Sequence, residues 1–185
     1  MRELIGDSAD RRVEILCDDP ALNATWSRFG PGRDGADLHI HRRHTDAFFV
    51  LEGELTLKLQ TGEIAVPAGS LARVPPLVVH GFRNASDADV IYLNLHAPGM
   101  GFADYMRSLR DGDPITYDQE DPPDTGFRPA TDAVITEGPL YADTDDLRVE
   151  ASTRCEEGWY YVLEGADAGT WGRGPAEAPR LLIIG

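Results

Sequence analysis

Short apolar runs separated by turn residues dominate the chain from about Val13 to Leu95. The segment 55–59 alternates strictly between apolar and polar residues, as a half-buried strand does. Further short strands are predicted at 63–66, 70–74 and 90–95, with glycine or proline residues close behind each of them. Many short strands with regular turn signals favour an antiparallel sandwich or barrel.

The pattern changes after this region, where residues 100–110 predict a single amphipathic helix. Phe102, Met106 and Leu109 fall on one face of that helix, and a Gly-Pro-containing segment follows it. The next segment, 118–125, is acidic and rich in proline, and we interpret it as an exposed linker or wrapping arm.

The composition limits the kinds of binding partner that the protein is expected to have. The chain has 185 residues and a formal net charge of −15, which disfavours binding to nucleic acid or to an anionic membrane surface. Its two cysteines, Cys17 and Cys155, form no CxxC pair, and free buried thiols are the simplest interpretation. The sequence shows neither a signal peptide nor a membrane span, so a cytoplasmic location is expected.

Three histidines and one aspartate carry the candidate chemistry. His39 and His41 lie two residues apart, so that on a strand they point to the same face. Asp46 can return to that face after a tight bend, and His80 begins another strand downstream. Three imidazoles and a carboxylate converging inside a barrel would form a site for a first-row metal ion.

These residues belong to two motifs that resemble those of the cupin superfamily. In the first motif, G-x5-H-x-H-x3,4-E-x6-G, His39, His41 and Gly53 match, Asp46 stands where the family usually has glutamate, and Gly35 is slightly late. The second motif, G-x5-P-x-G-x2-H-x3-N, is matched by Gly69, Pro75, His80 and Asn84, with Leu77 in place of the middle glycine. The resemblance extends to about residue 98.

The resemblance implies an all-β fold: a cupin barrel (a double-stranded β-helix, or jelly roll) with one short helix after it and a C-terminal extension. We expect the barrel and helix over residues 1–112 and the extension over 113–185. The implied cofactor is one divalent first-row metal, Fe, Mn, Ni, Cu or Zn, held by His39, His41, Asp46 and His80.

The metal set resembles that of quercetin-2,3-dioxygenase-like cupins. It implies a metal-dependent dioxygenase or other oxygenase acting on a small aromatic, enol or polyketide-like molecule, with Asp46 as the catalytic base. Two alternatives stay open, because fold does not fix function. One is a redox-neutral cyclase, isomerase or lyase, and the other is a binding module without catalysis.

Residues that alternate in step with the metal ligands are predicted to form the substrate pocket. These residues are Phe48, Val50 and Phe82. Tyr92 and Asn94 share one face of their strand and join the pocket if that face is inward, and Trp26 precedes the metal segment as a candidate wall. For each aromatic residue, packing in the core alone is the favoured interpretation. His44 is a competing metal ligand, although an exposed loop histidine is the favoured interpretation. His96 is interpreted as a structural histidine, with a proton-transfer role at the rim of the barrel as the alternative.

The tail contains an echo of the first motif, because 160–165 repeats the pattern of 48–53. Aligning the two puts Ala151, Thr153 and Gly158 in place of the ligands, so the echo has none of them. Either the similarity is chance, or the tail is a degenerate cupin half whose strands extend the main sheet or the sheet of a partner chain. The expected assembly is a homodimer.

Overall fold

The chain folds almost entirely into antiparallel β-structure in a computed structural model that describes residues 2–185. Strands account for 54% of it and helix for 7%, which confirms the all-β prediction. The strands predicted at 55–59, 63–66, 70–74 and 90–95 are all present. The first ten strands are β1 (Glu3–Ser8), β2 (Arg11–Asp19), β3 (Leu22–Phe29), β4 (Thr45–Glu52), β5 (Glu54–Leu59), β6 (Gly62–Pro67), β7 (Ser70–Val74), β8 (His80–Arg83), β9 (Val90–Ala97) and β10 (Val134–Glu137).

Two of the sheets enclose the core of the first part of the chain. One has seven strands in the order β1-β2-β3-β9-β4-β7-β10, and the other has three in the order β6-β5-β8. Alternate residues of both sheets point inward, as the strict alternation at 55–59 predicts. The buried cluster between them includes Phe48, Val50, Leu57 and Tyr92, each at most 2% exposed.

The predicted helix is confirmed as α1 (Phe102–Asp111). It ends at Gly112, which has a φ of 78° and donates its backbone N–H to the carbonyl oxygen of Ser108. Phe102 and Met106 are buried as expected, whereas Leu109 is 55% exposed. No helix within residues 2–185 is long and apolar enough to cross a membrane.

By its contacts the chain divides into two compact units, residues 1–135 and 136–185. Residues 113–135, interpreted above as part of the extension, belong to the first unit. They hydrogen-bond to earlier residues of that unit through backbone pairs of Ile40 with Glu120 and of Leu77 with Arg128. The segment is therefore a wrapping arm rather than a free linker. The predicted domain boundary after residue 112, between the barrel with its helix and the C-terminal extension, stays a prediction.

The second unit has a sheet of its own, formed by β11 (Leu140–Asp143), β12 (Arg148–Cys155), β13 (Trp159–Glu164), β14 (Trp171–Arg173) and β15 (Ala176–Ile184). These strands pair in the order β11-β12-β15-β13-β14. Cys155, Val162 and Leu181 form a small buried cluster on it. Both cysteines of the chain are buried and form no disulfide within residues 2–185, as expected. The interpretation of this unit as a degenerate cupin half stays a prediction.

Gly53 shows why the first motif needs a glycine. Its φ is 74°, a left-handed conformation, and a Cβ added there would lie 2.4 Å from the carbonyl oxygen of Asp89. Any side chain would therefore clash with backbone as well as strain the turn between β4 and β5.

Leu77 occupies the position of the second motif's middle glycine and keeps the glycine-like backbone. Its φ is 70°, in the region that side chains rarely adopt. Two hydrogen bonds hold it there: its N–H donates to the carbonyl oxygen of His41 at 2.7 Å, and its own carbonyl accepts from the N–H of Arg128 at 2.7 Å. The strain is tolerated because the surrounding backbone fixes this conformation.

We therefore expect Leu77→Gly to stabilise the backbone of this turn by about 1 kcal/mol, since a left-handed conformation costs a side-chain-bearing residue about 1–2 kcal/mol. Leu77→Val should destabilise it, because β-branched residues tolerate a positive φ worst. Thermal melting of both variants checks this. A melting temperature lower for Leu77→Gly than for Leu77→Val would contradict the assignment of strain.

The homodimer expected above stays a prediction, with strands β11 and β14 at the sheet edges of the second unit as candidate pairing surfaces. Light scattering after gel filtration should give twice the chain mass of 20.3 kDa. A mass equal to one chain at all concentrations tested would show that the protein is a monomer.

Candidate metal centre

The four predicted ligands meet at one buried point of the first unit. Donor atoms of His39, His41, Asp46 and His80 all lie within 4.8 Å of one another. Each of these residues is at most 4% exposed. Their assignment as ligands remains a prediction, but the proximity that it requires is present.

Backbone pairing brings the two most distant ligands together. The N–H of His39 donates to the carbonyl oxygen of His80 at 2.8 Å, and the N–H of His80 donates back to His39 at 2.9 Å. Asp46 lies on β4, which pairs with β7 on one side and with β9 on the other. The predicted tight bend between His41 and Asp46 therefore returns the carboxylate to the histidines.

Each histidine is oriented by a backbone carbonyl. The Nδ1 atom of His39 lies 2.7 Å from the carbonyl oxygen of Asp37, and that of His80 lies 2.9 Å from that of Val78. The Nδ1 atom of His41 faces the carbonyl oxygen of Asp118. Because a carbonyl only accepts, each Nδ1 carries the hydrogen and each Nε2 presents a lone pair.

These lone pairs converge. The Nε2 atoms of His39 and His41 are 3.2 Å apart, and Nε2 of His80 lies 3.2 Å from Oδ2 of Asp46. Two facing lone pairs cannot form a hydrogen bond, whereas a cation between them would satisfy both. Carbonyl-oriented imidazoles with a carboxylate are the usual surroundings of a first-row metal. The donor set therefore fits the implied metal.

Electrostatics keep the donors in their ligating forms. Burial, reinforced by His80 and His41, lowers the pKa of His39 to about 3, so its imidazole is neutral near neutral pH. Burial opposes ionisation of Asp46, but the electrostatic influence of the surrounding histidines, His96 foremost, outweighs it and holds the pKa of that carboxyl well below its ordinary value. Metal ligands must be deprotonated in this way.

Asp46 reaches the histidines despite being one methylene shorter than glutamate. Its Oδ2 atom faces the Nε2 atoms of His80 and His41, at 3.2 and 3.7 Å. Its Oδ1 atom accepts a hydrogen bond from Nδ2 of Asn94. One oxygen is thus available to the site, and the other is held by the protein.

A cavity of about 290 Å³ opens beside these donors. His39, His41 and Asp46 line it together with the predicted pocket residues Phe82, Tyr92 and Asn94. Further lining residues are Arg11, Val13, Thr25, Ser27, Phe29, Arg33, Asp34, Gly35, Ala36, His96, Phe102, Tyr105, Met106, Leu109 and Gln119.

Three predicted pocket residues are not among its lining residues. Phe48 and Val50 are fully buried in the core, where the ring of Phe48 packs behind Phe82 at a centroid distance of 4.9 Å. Trp26 alternates with Thr25 and Ser27 on β3, so its side chain points to the opposite face. A side chain that shares a face with Asp46 therefore does not necessarily reach the cavity, because the rings of Phe82 and Tyr92 form its wall.

His44 differs from its favoured interpretation, whereas the interpretation of His96 as a structural histidine stays a prediction. His44 is fully buried rather than an exposed loop histidine, and its Nδ1 lies 2.9 Å from Oδ2 of Asp118. His96 lines the cavity, stacks on Phe102 at 3.6 Å and has its Nε2 3.6 Å from Oδ1 of Asp46. Burial and the neighbouring His41 lower the pKa of His44 to about 4.

The arm supplies two residues that the sequence did not reveal, Tyr117 and Asp118. Asp118 is buried and accepts hydrogen bonds from the backbone N–H groups of Arg42 and Arg43 at 3.2 and 2.9 Å. Nothing in an acidic, proline-rich segment distinguishes this one aspartate from its exposed neighbours. The adjacent aromatic residue is the one local signal of burial.

Comparisons with known proteins agree with this architecture. The family model for the cupin domain matches residues 25–96. The chain is 32% identical over 113 residues to the quercetin 2,3-dioxygenase of Bacillus subtilis (strain 168); the match covers 61% of this chain but only 32% of that protein.

Two solved structures share the fold over nearly the whole chain. The putative glyoxylate-induced protein of Pseudomonas aeruginosa aligns with a TM-score of 0.60 and 17% identity, covering 95% of this chain and 80% of that one. Protein Ylba of E. coli aligns with a TM-score of 0.60 and 12% identity, covering 100% and 78%. Residues 25–96, which carry most of both motifs, therefore form a cupin domain.

Proposed function

We propose that this cupin is a metal-dependent oxygenase, most simply a dioxygenase, that acts on a compact aromatic or enolic molecule. The observation that carries the proposal is the convergence of three imidazole nitrogens and one carboxylate oxygen at one buried point, where His39, His41 and Asp46 line a cavity. The similarity to a quercetin 2,3-dioxygenase supports the choice of reaction class.

His39, His41, His80 and Oδ2 of Asp46 would hold a divalent first-row metal. When bound, the metal supplies Lewis acidity and a template for oxygen-containing groups of the substrate. The protein contributes the fixed orientation of the imidazoles, because each Nδ1 is anchored to a backbone carbonyl.

Asp46 is the proposed general base. Its carboxylate borders the cavity, and Asn94 holds one oxygen so that the other points towards the histidines. A substrate hydroxyl placed beside Oδ2 can transfer its proton there, leaving an electron-rich enolate for reaction with O₂. The low pKa of this carboxyl keeps it ionised but makes it a weak base, so the transfer requires that the substrate hydroxyl be acidified at the same time.

The cavity walls favour a small substrate with a negatively polarised oxygen. Phe29, Phe82 and Tyr92 supply flat apolar surface, which excludes bulk water and suits a ring. Arg11 also lines the cavity, a notable cation in a chain with a net charge of −15. The volume of about 290 Å³ is at the lower end of ligand pockets, which favours one or two rings.

Removing an imidazole should remove the metal. His39→Ala and His80→Ala should each fold, as judged by circular dichroism, and lose stoichiometric metal on elemental analysis of protein purified without added metal. Three protein ligands are already the minimum of catalytic sites such as those of zinc. Retention of a full equivalent by both variants would refute the ligand assignment.

Asp46→Asn should act on turnover more than on metal binding. We expect the variant to keep its metal and its fold while the rate falls by about 10²–10⁴, the usual contribution of a general base. Asp37→Asn is a matched control, because Asp37 lies just before the same ligand pair but its side chain is exposed. Loss of the metal from Asp46→Asn would show that Asp46 acts mainly as an essential metal ligand and would count against its role as the general base.

Oxygen consumption decides the reaction class. Turnover of an enolic or phenolic substrate should consume O₂ in proportion to product and stop under anaerobic conditions. Unchanged turnover without O₂ would replace the oxygenase with a cyclase, isomerase or lyase at the same site. Binding without any turnover would indicate a small-molecule binding protein.

A further inference from the structure

A second cluster of polar atoms lies beside the first, and the proposed reaction does not use it. Nε2 of His44 and Nδ1 of His96 are 3.0 Å apart, and the hydroxyl oxygen of Tyr117 lies 3.0 and 3.1 Å from them. The three atoms form a nearly equilateral triangle. His44 and His96 are almost completely buried.

Hydrogen bonding around Asp118 fixes the tautomer of His44. The carboxylate of Asp118 accepts from the backbone N–H groups of Arg42 and Arg43 and lies 2.9 Å from Nδ1 of His44. An oxygen that only accepts requires the hydrogen on Nδ1. Nε2 of His44 therefore faces the triangle with a lone pair.

Hydrogen bonding around Asn94 fixes the tautomer of His96. The amide nitrogen of Asn94 donates to Oδ1 of Asp46 and to the carbonyl oxygen of Ala47, which directs its Oδ1 to Nε2 of His96 at 3.1 Å. The hydrogen of His96 is then on Nε2. Nδ1 of His96 faces the triangle with a second lone pair.

The triangle is therefore short of hydrogens. Only the hydroxyl of Tyr117 brings one, so two of the three edges join acceptors to each other. The same arrangement, two imidazole lone pairs facing at 3.2 Å, occurs between His39 and His41 in the first site. Facing lone pairs in a buried position call for a positive charge between them.

Two carboxylates flank the pair of imidazoles. Asp118 lies against His44, and Oδ1 of Asp46 is 3.6 Å from Nε2 of His96. Their negative charge favours a cation in the triangle. The cluster also includes His41, whose ring lies 4.1 Å from that of His44, but whose Nδ1 is bonded to the backbone at Asp118.

We propose that Nε2 of His44, Nδ1 of His96 and the oxygen of Tyr117 form a second metal site for a divalent ion such as Zn²⁺ or Cu²⁺. Imidazole nitrogens suit both ions. On binding, Tyr117 releases its hydroxyl proton to solvent and coordinates as a phenolate. The site is separate from the proposed oxygenase centre and does not depend on that activity.

Zinc stoichiometry tests the proposal. Chelator-treated protein is saturated with Zn²⁺, passed through gel filtration and subjected to elemental analysis. All five histidines of the chain belong to the two clusters, so no other imidazole can supply a site. We expect two equivalents in the native protein and one in the double variant His39→Ala/His80→Ala.

Variants of the triangle should remove the other equivalent. Tyr117→Phe and His44→Asn should weaken the second equivalent by at least about 100-fold, the upper range for losing even an outer-shell partner. The asparagine amide can still donate to Asp118. Tyr105→Phe is the matched control and should keep both equivalents, because the ring of Tyr105 stacks on that of Tyr117 at 4.7 Å without entering the triangle.

Cu²⁺ gives an independent readout. Its titration should produce a visible phenolate-to-copper absorption band in the native protein and in Tyr105→Phe, and no such band in Tyr117→Phe. This comparison needs only a mild substitution, so it remains decisive if the double histidine variant does not fold.

Two results would overturn the second site. One is a single Zn²⁺ equivalent in the native protein that disappears in His39→Ala/His80→Ala; a shared proton would then occupy the triangle, and the first site would stand. The other is a second equivalent whose affinity is unchanged by Tyr117→Phe and by His44→Asn. A single equivalent kept in the double histidine variant and lost on adding Tyr117→Phe would support the second site and count against the first.

Discussion

The pair of backbone hydrogen bonds between His39 and His80 is the constraint on which the site depends. It ties together two points of the chain that are 41 residues apart and places both imidazoles on the same side of the backbone. The next turn is held in the same way, since Leu77 donates to His41 from a left-handed conformation. The ligand geometry is therefore set by backbone pairing, and the side chains need only small adjustments.

Burial then determines which protonation state and tautomer the donor residues adopt. The imidazole of His39 stays neutral because it is removed from water. The hydrogens of His39 and His80 are fixed by carbonyl acceptors on the side away from the centre. What is left facing inward is a set of lone pairs and one negative charge. Burying such a set without a compensating positive charge is costly, and this cost is the physical reason for expecting a metal at the site.

The wrapping arm connects this centre to a wider polar network. Through Asp118 it accepts hydrogen bonds from the loop after His41, orients His44 and, by its backbone carbonyl, orients His41 as well. Tyr117 reaches the gap between His44 and His96. The acidic segment that follows the helix thereby sets the tautomers of His41 and His44.

The sequence by itself determined many of the strands, the helix and the candidate ligand set, whose binding of a metal stays a prediction. Alternation at 55–59, turn residues after each run and the spacing of His39 and His41 are local properties, because side-chain direction along a strand follows from sequence distance alone. The same holds for the glycine at position 53, where φ is positive. Each of these features can be seen within a window of a few residues.

Only the tertiary structure decided which aromatic rings face the cavity and which polar residues are buried. Phe48 and Phe82 are both apolar residues of strands, yet one lies behind the other, since that order depends on how two sheets pack. Asp118 resembles its exposed acidic neighbours in sequence, and its burial follows from the docking of the arm against the loop after His41. The network of His44, His96 and Tyr117 joins residues from three separate segments, and contacts between such segments leave no pattern within any one of them.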